Sequence, residues 1–166
     1  MHDPVPPSLQ DLDARLLAAV ASGNVQAARA ALVAGAAVDA RDHAGRTGLH
    51  LAILGKDYGG YQNTGRELAS LFLNRGLGVD APDSKGATAL HLALLDDSYT
   101  NSKYKIEDLV AFGADINARD HAGRTPLHYA AAGGNKNDGL KMLLAQRPDS
   151  NARDNDGAAP LHLAAA

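Results

Sequence analysis

The stretch Ala40-Arg-Asp-His-Ala-Gly-Arg-Thr47 recurs letter for letter as Ala118-Arg-Asp-His-Ala-Gly-Arg-Thr125. Each copy runs into a Leu-His pair, and two weaker copies complete a series of four Asp-x-x-Gly turns that are each followed by Leu-His. The histidines of these pairs are His50, His91, His128 and His162. Self-similarity of this kind is the signature of a repeat array, in which each repeat contacts only its neighbours.

The segment Thr125-Pro-Leu-His-Tyr-Ala130 follows the second copy of the phrase. It matches in full the Thr-Pro-Leu-His-x-Ala signature of ankyrin repeats. The copies that begin at Thr47 and Thr88 replace the proline, and the copy that begins at Ala159 lacks the threonine. From about Leu12 onward the chain therefore resembles the ankyrin-repeat family. The resemblance implies an all-α solenoid of helix-turn-helix repeats with β-turn fingers.

The pattern along the chain predicts an extended lead-in over residues 1–10 and a single domain over residues 11–166. Two Ala/Leu-rich helical segments, 12–21 and 25–34, lack the turn phrase and predict an N-terminal capping repeat. Three full repeats and a truncated fifth unit follow, because the sequence stops at Ala166 inside the first helix of that unit. The predicted outer helices cover residues 67–74, 106–112 and 140–146.

Composition argues against several classes of function. A formal net charge of -3 provides no large positive field, so we predict no nucleic-acid partner. The absence of cysteine excludes a disulfide framework, a thiolate zinc site and a cysteine nucleophile. No apolar run is long enough to span a membrane and the N-terminus lacks the form of a signal peptide. We therefore expect a cytoplasmic chain with no membrane partner, unless it is exported by another route.

The recurring histidines argue against metal binding and catalysis. Helices in neighbouring layers lie about 8–10 Å apart, whereas zinc ligands must each come within about 2.1 Å of the ion. One histidine per layer cannot satisfy that distance. In the ankyrin family this histidine ties the turn of one repeat to the next through hydrogen bonds. No Gly-x-Ser-x-Gly or His-Glu-x-x-His spacing is present, so we predict no enzyme, cofactor or metal.

The tips of the turns form the first surface that could recognise a partner. In proteins that resemble this chain, the tips and inner helices make a concave face that grips partners, and Arg and His there suit an acidic or polar surface. The alternative is a solvated charged edge without a partner. The candidate residues are Arg41, His43, Arg46, Lys85, Arg119, His121 and Arg124.

Two inserted connections, residues 54–65 and 96–105, form the second candidate surface. The successive turn glycines are 41, 37 and 34 residues apart, so the first two intervals exceed the period of about 33 residues. Tyrosine suits recognition because it buries a large area with few rotatable bonds. The alternative is that these tyrosines pack their own loops. The candidates are Tyr58, Tyr61, Tyr99, Lys103 and Tyr104.

These surfaces predict non-catalytic recognition of another protein by a monomer, unless the exposed C-terminal helix pairs with a second copy. Alanine-rich composition with arginine in excess over lysine favours a bacterial source. In that setting the chain would be an inhibitor, an immunity-type protein or an effector. The alternatives are a structural targeting module of a larger protein and, less favoured, an enzyme or a metal-binding protein.

Overall fold

The computed structural model describes residues 8–55, 64–95, 102–133 and 138–164, with the side chains of residues 102–104 and 138 outside that description. Over these ranges the chain is helical, and its one β-type pairing is an isolated bridge between Arg41 and Thr47. The all-α prediction is therefore confirmed there. The helices are α1 (Leu9–Ala21), α2 (Val25–Val33), α3 (Gly48–Leu54), α4 (Thr64–Leu73), α5 (Ala89–Ala93), α6 (Ser102–Ala111), α7 (Pro126–Ala132), α8 (Asp138–Ala145) and α9 (Pro160–Ala164).

The chain divides into two compact units, Met1–Leu77 and Gly78–Ala166. The single domain predicted over residues 11–166 stays a prediction, as do the number of full repeats and the capping repeat. No helix within the described ranges is both long enough and apolar enough to cross a membrane.

The first helix, α1, begins earlier than the sequence pattern predicted. The Ser8 hydroxyl accepts the N–H of Asp11 at 3.2 Å, and the Asp11 carboxylate accepts the N–H of Ser8 at 3.1 Å. This reciprocal capping box satisfies two backbone donors at the helix start. The helix therefore begins at Leu9, and the lead-in predicted over residues 1–10 is too long. Residues 1–7 lie outside the described part of the chain.

A small residue at the start of α3 makes room for the largest core side chain of the first unit. Gly48 stands where the ankyrin signature has proline, and a Cβ there would overlap the ring of Phe72 on α4. Phe72 is fully buried. Glycine at this position therefore allows the core to pack closely, because the phenyl ring occupies the space that a side chain at position 48 would need.

The outer helices begin several residues before their predicted starts. The structure has α4 from Thr64, α6 from Ser102 and α8 from Asp138, whereas apolar periodicity placed the starts at residues 67, 106 and 140. Polar residues form the first helical turn and carry no periodic signal. The insertion predicted over residues 96–105 is consequently helical from Ser102 onward. Thr64 is the first residue of α4, and Glu67 Oε1 lies 3.6 Å from Arg29 Nη2.

The outer helices end in the left-handed conformation. Gly76 and Gly113 have φ values of 85° and 86°, and Arg147 has a φ of 57° at the equivalent place after α8. Glycine adopts this conformation without steric cost, whereas a side chain brings its Cβ too close to a carbonyl oxygen. The structure retains the glycine geometry after α8, with a strained arginine.

We expect Arg147→Gly to stabilise the protein by about 1 kcal/mol, because it relieves the left-handed strain at the end of α8. The measurement is the free energy of unfolding from urea titrations. The matched control is Lys141→Gly in the interior of α8, which should destabilise by about 1 kcal/mol because glycine is unfavourable inside a helix. Equal destabilisation by both variants would show that the Arg147 side chain offsets its own strain.

Candidate functional site

Each turn phrase folds around its aspartate. Asp120 Oδ1 accepts the backbone N–H groups of Ala122 and Arg124 at 2.9 and 2.8 Å, and the Asp120 carbonyl accepts the N–H of Gly123 at 2.9 Å. Aspartate favours turns because it bonds its own following backbone, which explains its place at the start of the phrase. The same hydrogen bonds form at Asp42, Asp83 and Asp154.

In the second unit, backbone hydrogen bonds join successive turns side by side. The N–H of His121 donates to the carbonyl of Lys85, and the N–H of Asn155 donates to the carbonyl of Ala122, both at 2.9 Å. The Asn155 side chain adds a bond to the carbonyl of His121 at 3.0 Å. Residues 83–86, 120–123 and 154–157 therefore form one hydrogen-bonded row, which we call the turn row.

Two glycines allow this close approach. A Cβ on Gly86 would lie 2.6 Å from the His121 ring, and a Cβ on Gly123 would lie 2.5 Å from the Asn155 side-chain oxygen. Both glycines also have left-handed φ values, 78° and 74°. The turn phrase needs glycine for its own backbone, and the next turn then packs against the space where a side chain would be.

In the second unit a buried histidine connects each of the inner helices α5 and α7 to the next turn. His91 Nδ1 accepts the backbone N–H of Thr88 at 3.1 Å and lies 2.9 Å from the Thr88 hydroxyl. His91 Nε2 lies 3.0 Å from the carbonyl oxygen of Arg124, in the following turn. The predicted role in tying repeats together is thus confirmed for His91. His128 makes the corresponding bonds to Thr125 and Ala158.

The partners of His91 determine its tautomer. A backbone N–H only donates, so Nδ1 presents its lone pair, and a carbonyl only accepts, so the proton lies on Nε2. Burial lowers the pKa of His91 below its usual value. The folded protein therefore holds this imidazole neutral. Over the described residues, no group of three or more His, Asp or Glu side chains is arranged to hold a metal ion.

Tyr129 extends the histidine network. Its ring meets the His91 ring edge to face, with centroids 4.9 Å apart, and its hydroxyl donates to Asp120 Oδ2 at 2.8 Å. Burial, together with the hydrogen bond to Asp120, raises the pKa of the Tyr129 hydroxyl above its usual value. No role was predicted for Tyr129 from the sequence. Leucine stands at this place in the other three copies, and this exchange of leucine for tyrosine is the feature from which a special contact of Tyr129 could have been predicted.

Comparison with known proteins agrees with this geometry. Residues 98–166 match the family model described as ankyrin repeats (3 copies). Residues 98–166 thus belong to the ankyrin-repeat family. The buried Thr-His pair of the matched region recurs before it, as Thr47 with His50 and as Thr88 with His91. Ankyrin repeats generally act as non-catalytic modules that mediate protein–protein interaction.

One curated protein shares a short segment with this chain. The ADP-ribosylation factor GTPase-activating protein AGD2 of Arabidopsis thaliana is 59% identical over 39 residues. That segment is 24% of this chain and 5% of the plant protein. The likeness therefore concerns a small part of that protein.

Several arginines predicted at the tips of the turns have partners in their own turn or in the next one. Arg41 Nη1 donates to the carbonyl of Gly45 at 2.7 Å, and Arg46 forms an ion pair with Asp42 at 2.7 Å. Arg119 Nη1 donates to the carbonyl of Gly123 at 3.1 Å and to that of Arg153 at 2.7 Å. These guanidinium groups brace the turns. Their part in binding a partner remains a prediction.

Other predicted tip residues present exposed side chains. Lys85, His121 and Arg124 are exposed in the second unit, with Arg124 Nε 3.6 Å from the buried carboxylate of Asp154. His43 is exposed in the first unit. The turn row therefore brings Lys85 and His121 together, because the backbone bond between their residues sets the spacing.

The tyrosine inserts fall largely outside the described residues. Tyr58, Tyr61 and Tyr99 lie in undescribed segments. Lys103 and Tyr104 lie within α6 rather than in a loop, and their side chains are outside the description. Lys105, the last residue of the second inserted connection, is buried. The insert surface stays a prediction for the four tyrosines and Lys103.

We expect His91→Ala to lower the free energy of unfolding by about 3 kcal/mol, because it leaves the buried N–H of Thr88 and the carbonyl of Arg124 without their partner. The measurement is urea unfolding at pH 8. His121→Ala is the matched control, since its ring is exposed and its loss should change stability by under about 0.5 kcal/mol. Equal effects of the two variants would contradict the bridging role.

The stability of the wild-type protein should fall as the pH drops below about 6.5. The folded pKa of His91 is lowered by burial, so the unfolded chain binds a proton in a range where the folded protein does not. The contribution of neutral His91 to stability is therefore fully present above the pKa that this histidine has in the unfolded chain, and it declines below that pKa. The Ala158 N–H lowers the pKa of Asp154, so this carboxylate loses its contribution in a more acidic range. The decline near pH 6 should be smaller in His91→Ala.

Proposed function

We propose that this ankyrin-repeat chain is a non-catalytic recognition module that binds another protein through the turn row and its exposed basic side chains. The tyrosine inserts contribute a second part of the same binding surface. The partner is a protein with an acidic or polar surface, and neither a nucleic acid nor a membrane. The chain acts in the cytoplasm as a monomer, in the manner of a bacterial inhibitor, an immunity-type protein or an effector.

The observation that carries this proposal is the hydrogen-bonded continuity of the turn row. Backbone bonds from His121 to Lys85 and from Asn155 to Ala122 hold neighbouring turns at a fixed spacing. A surface that is ordered before binding loses little conformational entropy when a partner docks. Less of the free energy of its contacts with the partner is therefore offset by the cost of ordering the backbone of the row.

The charge pattern of the turn row favours an acidic partner. The turn aspartates direct carboxylate oxygens at their own backbone N–H groups, as Asp120 does, and Asp120 and Asp154 are buried. Lys85 within the row and Arg124 and Arg153 directly beside it are exposed, together with one carboxylate, that of Asp156. The exposed groups at this edge are therefore mostly basic, and they complement carboxylates and steer association at low salt.

We expect Lys85→Glu to weaken binding to a partner captured with the purified chain by at least about tenfold, with the larger loss at low salt. The measurement is the dissociation constant by calorimetry at two salt concentrations. Arg75→Glu, an equal change of charge at an exposed position after α4, is the matched control and should bind normally. Equal weakening by both variants would attribute the effect to net charge and contradict a site at the turn row.

We expect alanine at one or more of Tyr58, Tyr61, Tyr99 and Tyr104 to cost at least about 2 kcal/mol of binding. The free energy of thermal unfolding of each variant should change by under about 1 kcal/mol, because the proposed surface lies outside the core. Binding is measured with the same partner, and unfolding by circular dichroism. Normal binding by all four variants would remove the inserts from the proposed surface and leave the turn row as the site.

A further inference from the structure

Two arginines precede the second and third turns of the turn row, and both are held in the same way. Arg119 Nη1 donates to the carbonyl of Gly123 at 3.1 Å, and Arg153 Nη1 donates to the carbonyl of Gly157 at 2.7 Å. Arg119 Nη1 also donates to the carbonyl of Arg153 at 2.7 Å. Each guanidinium group is therefore fixed against its own turn, and the first is also tied to the backbone of the second arginine.

These hydrogen bonds leave one edge of each guanidinium group available. The group carries five N–H donors in a rigid plane, and the bonds to the turns use only Nη1. Over the described residues, Nε and Nη2 of Arg119 and Arg153 have no protein partner. Nε–H and one Nη2–H point the same way and can bind both oxygens of a carboxylate. We call this pair of donors the fork. Both arginine side chains are exposed.

Arginine does not occupy this position in every turn. The equivalent residue is Arg41 in the first copy of the turn phrase and Pro82 in the second. Among the four copies, arginines stand in successive turns only at Arg119 and Arg153. Arg119 is exposed although the next turn is packed beside it, so the exposure belongs to the position within the turn.

The distance between the two forks follows from the stacking of the turns. Helices in neighbouring layers lie about 8–10 Å apart. Hydrogen-bonded backbone stretches lie about 4.8 Å apart and each turn has an entering and a leaving stretch, so equivalent residues repeat at about 10 Å. The bond from the Asp120 N–H to the Arg124 carbonyl joins the two stretches of one turn, and the bond from Asn155 to Ala122 joins two turns. Because both guanidinium groups are held by the same bond, their forks repeat at that distance.

We propose that Arg119 and Arg153 bind two carboxylates, three residues apart, on an acidic polyproline II segment of the partner protein. This inference rests on the proposed function, because the two arginines border the turn row. A polyproline II helix has three residues per turn and rises about 3.1 Å per residue, so residues i and i+3 share a face about 9.3 Å apart. In a β-strand, residues on one face are about 7 or 13 Å apart. The polyproline II spacing matches that of the forks, and the strand spacings do not.

The chemistry of this edge favours polyproline II over an α-helix, in which carboxylates at i and i+7 would be about 10.5 Å apart. Arg119, Arg153 and Lys85 are exposed side chains that only donate hydrogen bonds, so the partner must supply acceptors. An α-helix uses its carbonyl groups internally, whereas those of polyproline II are free. Asp156 provides one exposed carboxylate at the same edge, and the basic groups outnumber it.

The test is a titration of the ¹⁵N-labelled whole chain with short peptides at low salt, followed by NMR. The first peptide, Pro-Pro-Glu-Pro-Pro-Glu-Pro-Pro, has its glutamates three residues apart. The second, Pro-Pro-Glu-Pro-Glu-Pro-Pro-Pro, has the same composition with glutamates two residues apart. A third has glutamine in place of glutamate, and a fourth is an alanine-rich helix with glutamates seven residues apart.

The proposal expects saturable binding of the first peptide with a dissociation constant of about 1 mM or lower. The other three peptides should bind at least about fivefold more weakly. The Nε–H resonances of Arg119 and Arg153 should shift along one binding curve, because both forks bind the same peptide. These shifts in the unsubstituted chain test the site without any change to the turns.

Arg119→Lys and Arg153→Lys should each weaken binding of the first peptide by at least about fivefold, because lysine keeps the charge and lacks the fork. The matched control is Arg41→Lys. Arg41 makes the same bond to its own turn in the first unit, so this variant should bind the peptide with unchanged affinity. Circular dichroism establishes that each variant remains folded.

Three results would overturn the proposal. Equal binding of the first two peptides would reduce the interaction to net charge. Tighter binding of the helical peptide would assign the forks to an α-helix, and no saturable binding up to about 10 mM would leave them without such a ligand. If the peptides fail while Lys85→Glu still weakens binding of the captured partner, the turn row remains the binding site and only the role of the two forks is rejected.

Discussion

The second unit depends on the pair of hydrogen bonds by which a neutral histidine joins an inner helix to the next turn. His91 accepts from the backbone at the start of α5 and donates to the carbonyl of Arg124, so one side chain satisfies polar groups of two repeats. The hydrogen bond from the Thr88 N–H is buried and the one to the Arg124 carbonyl is part-buried, so leaving this donor or acceptor unmatched is costly. The same ring also supports Tyr129, which reaches the aspartate that organises the following turn. Turn geometry, helix start and repeat spacing are thereby coupled through a single ring.

This coupling bears on recognition because it orders the turn row from beneath. The turn aspartates and several arginines are used to hold the turns themselves, as with Asp120 and Arg119. The basic groups that remain exposed then stand on a backbone that is already fixed. A repeat protein can vary such exposed side chains without disturbing the hydrogen bonds that hold the turns. The turn phrase can therefore stay nearly constant while the proposed binding surface differs from one repeat protein to another.

The last two described helices show how one position of the repeat can change its role or its residue type. The signature leucine is core where an outer helix covers it and surface on α9. The glycine that ends an outer helix is replaced by Arg147 after α8, with the same left-handed backbone. Both changes occur in the second unit, at α8 and α9.

Local chemistry made much of this protein readable from its residues alone. The Asp-x-x-Gly turn, the Thr cap and the all-α repeat follow from hydrogen bonds that span at most a few residues, so the recurring phrase predicts them directly. The starts of the outer helices were missed by several residues, because their first turns are polar and carry no periodic signal.

The side-chain partners depended on the stacking of repeats. Sequence spacing alone does not specify that Arg119 reaches Arg153, that Tyr129 meets His91, or that Phe72 occupies the space beside Gly48. Each of these pairs is separated by more than twenty residues, and its contact exists only once two helices or turns lie at their packed distance. The repeated phrase therefore determined the kind of fold, whereas tertiary packing decided which basic side chains brace the turns and which apolar side chains remain exposed.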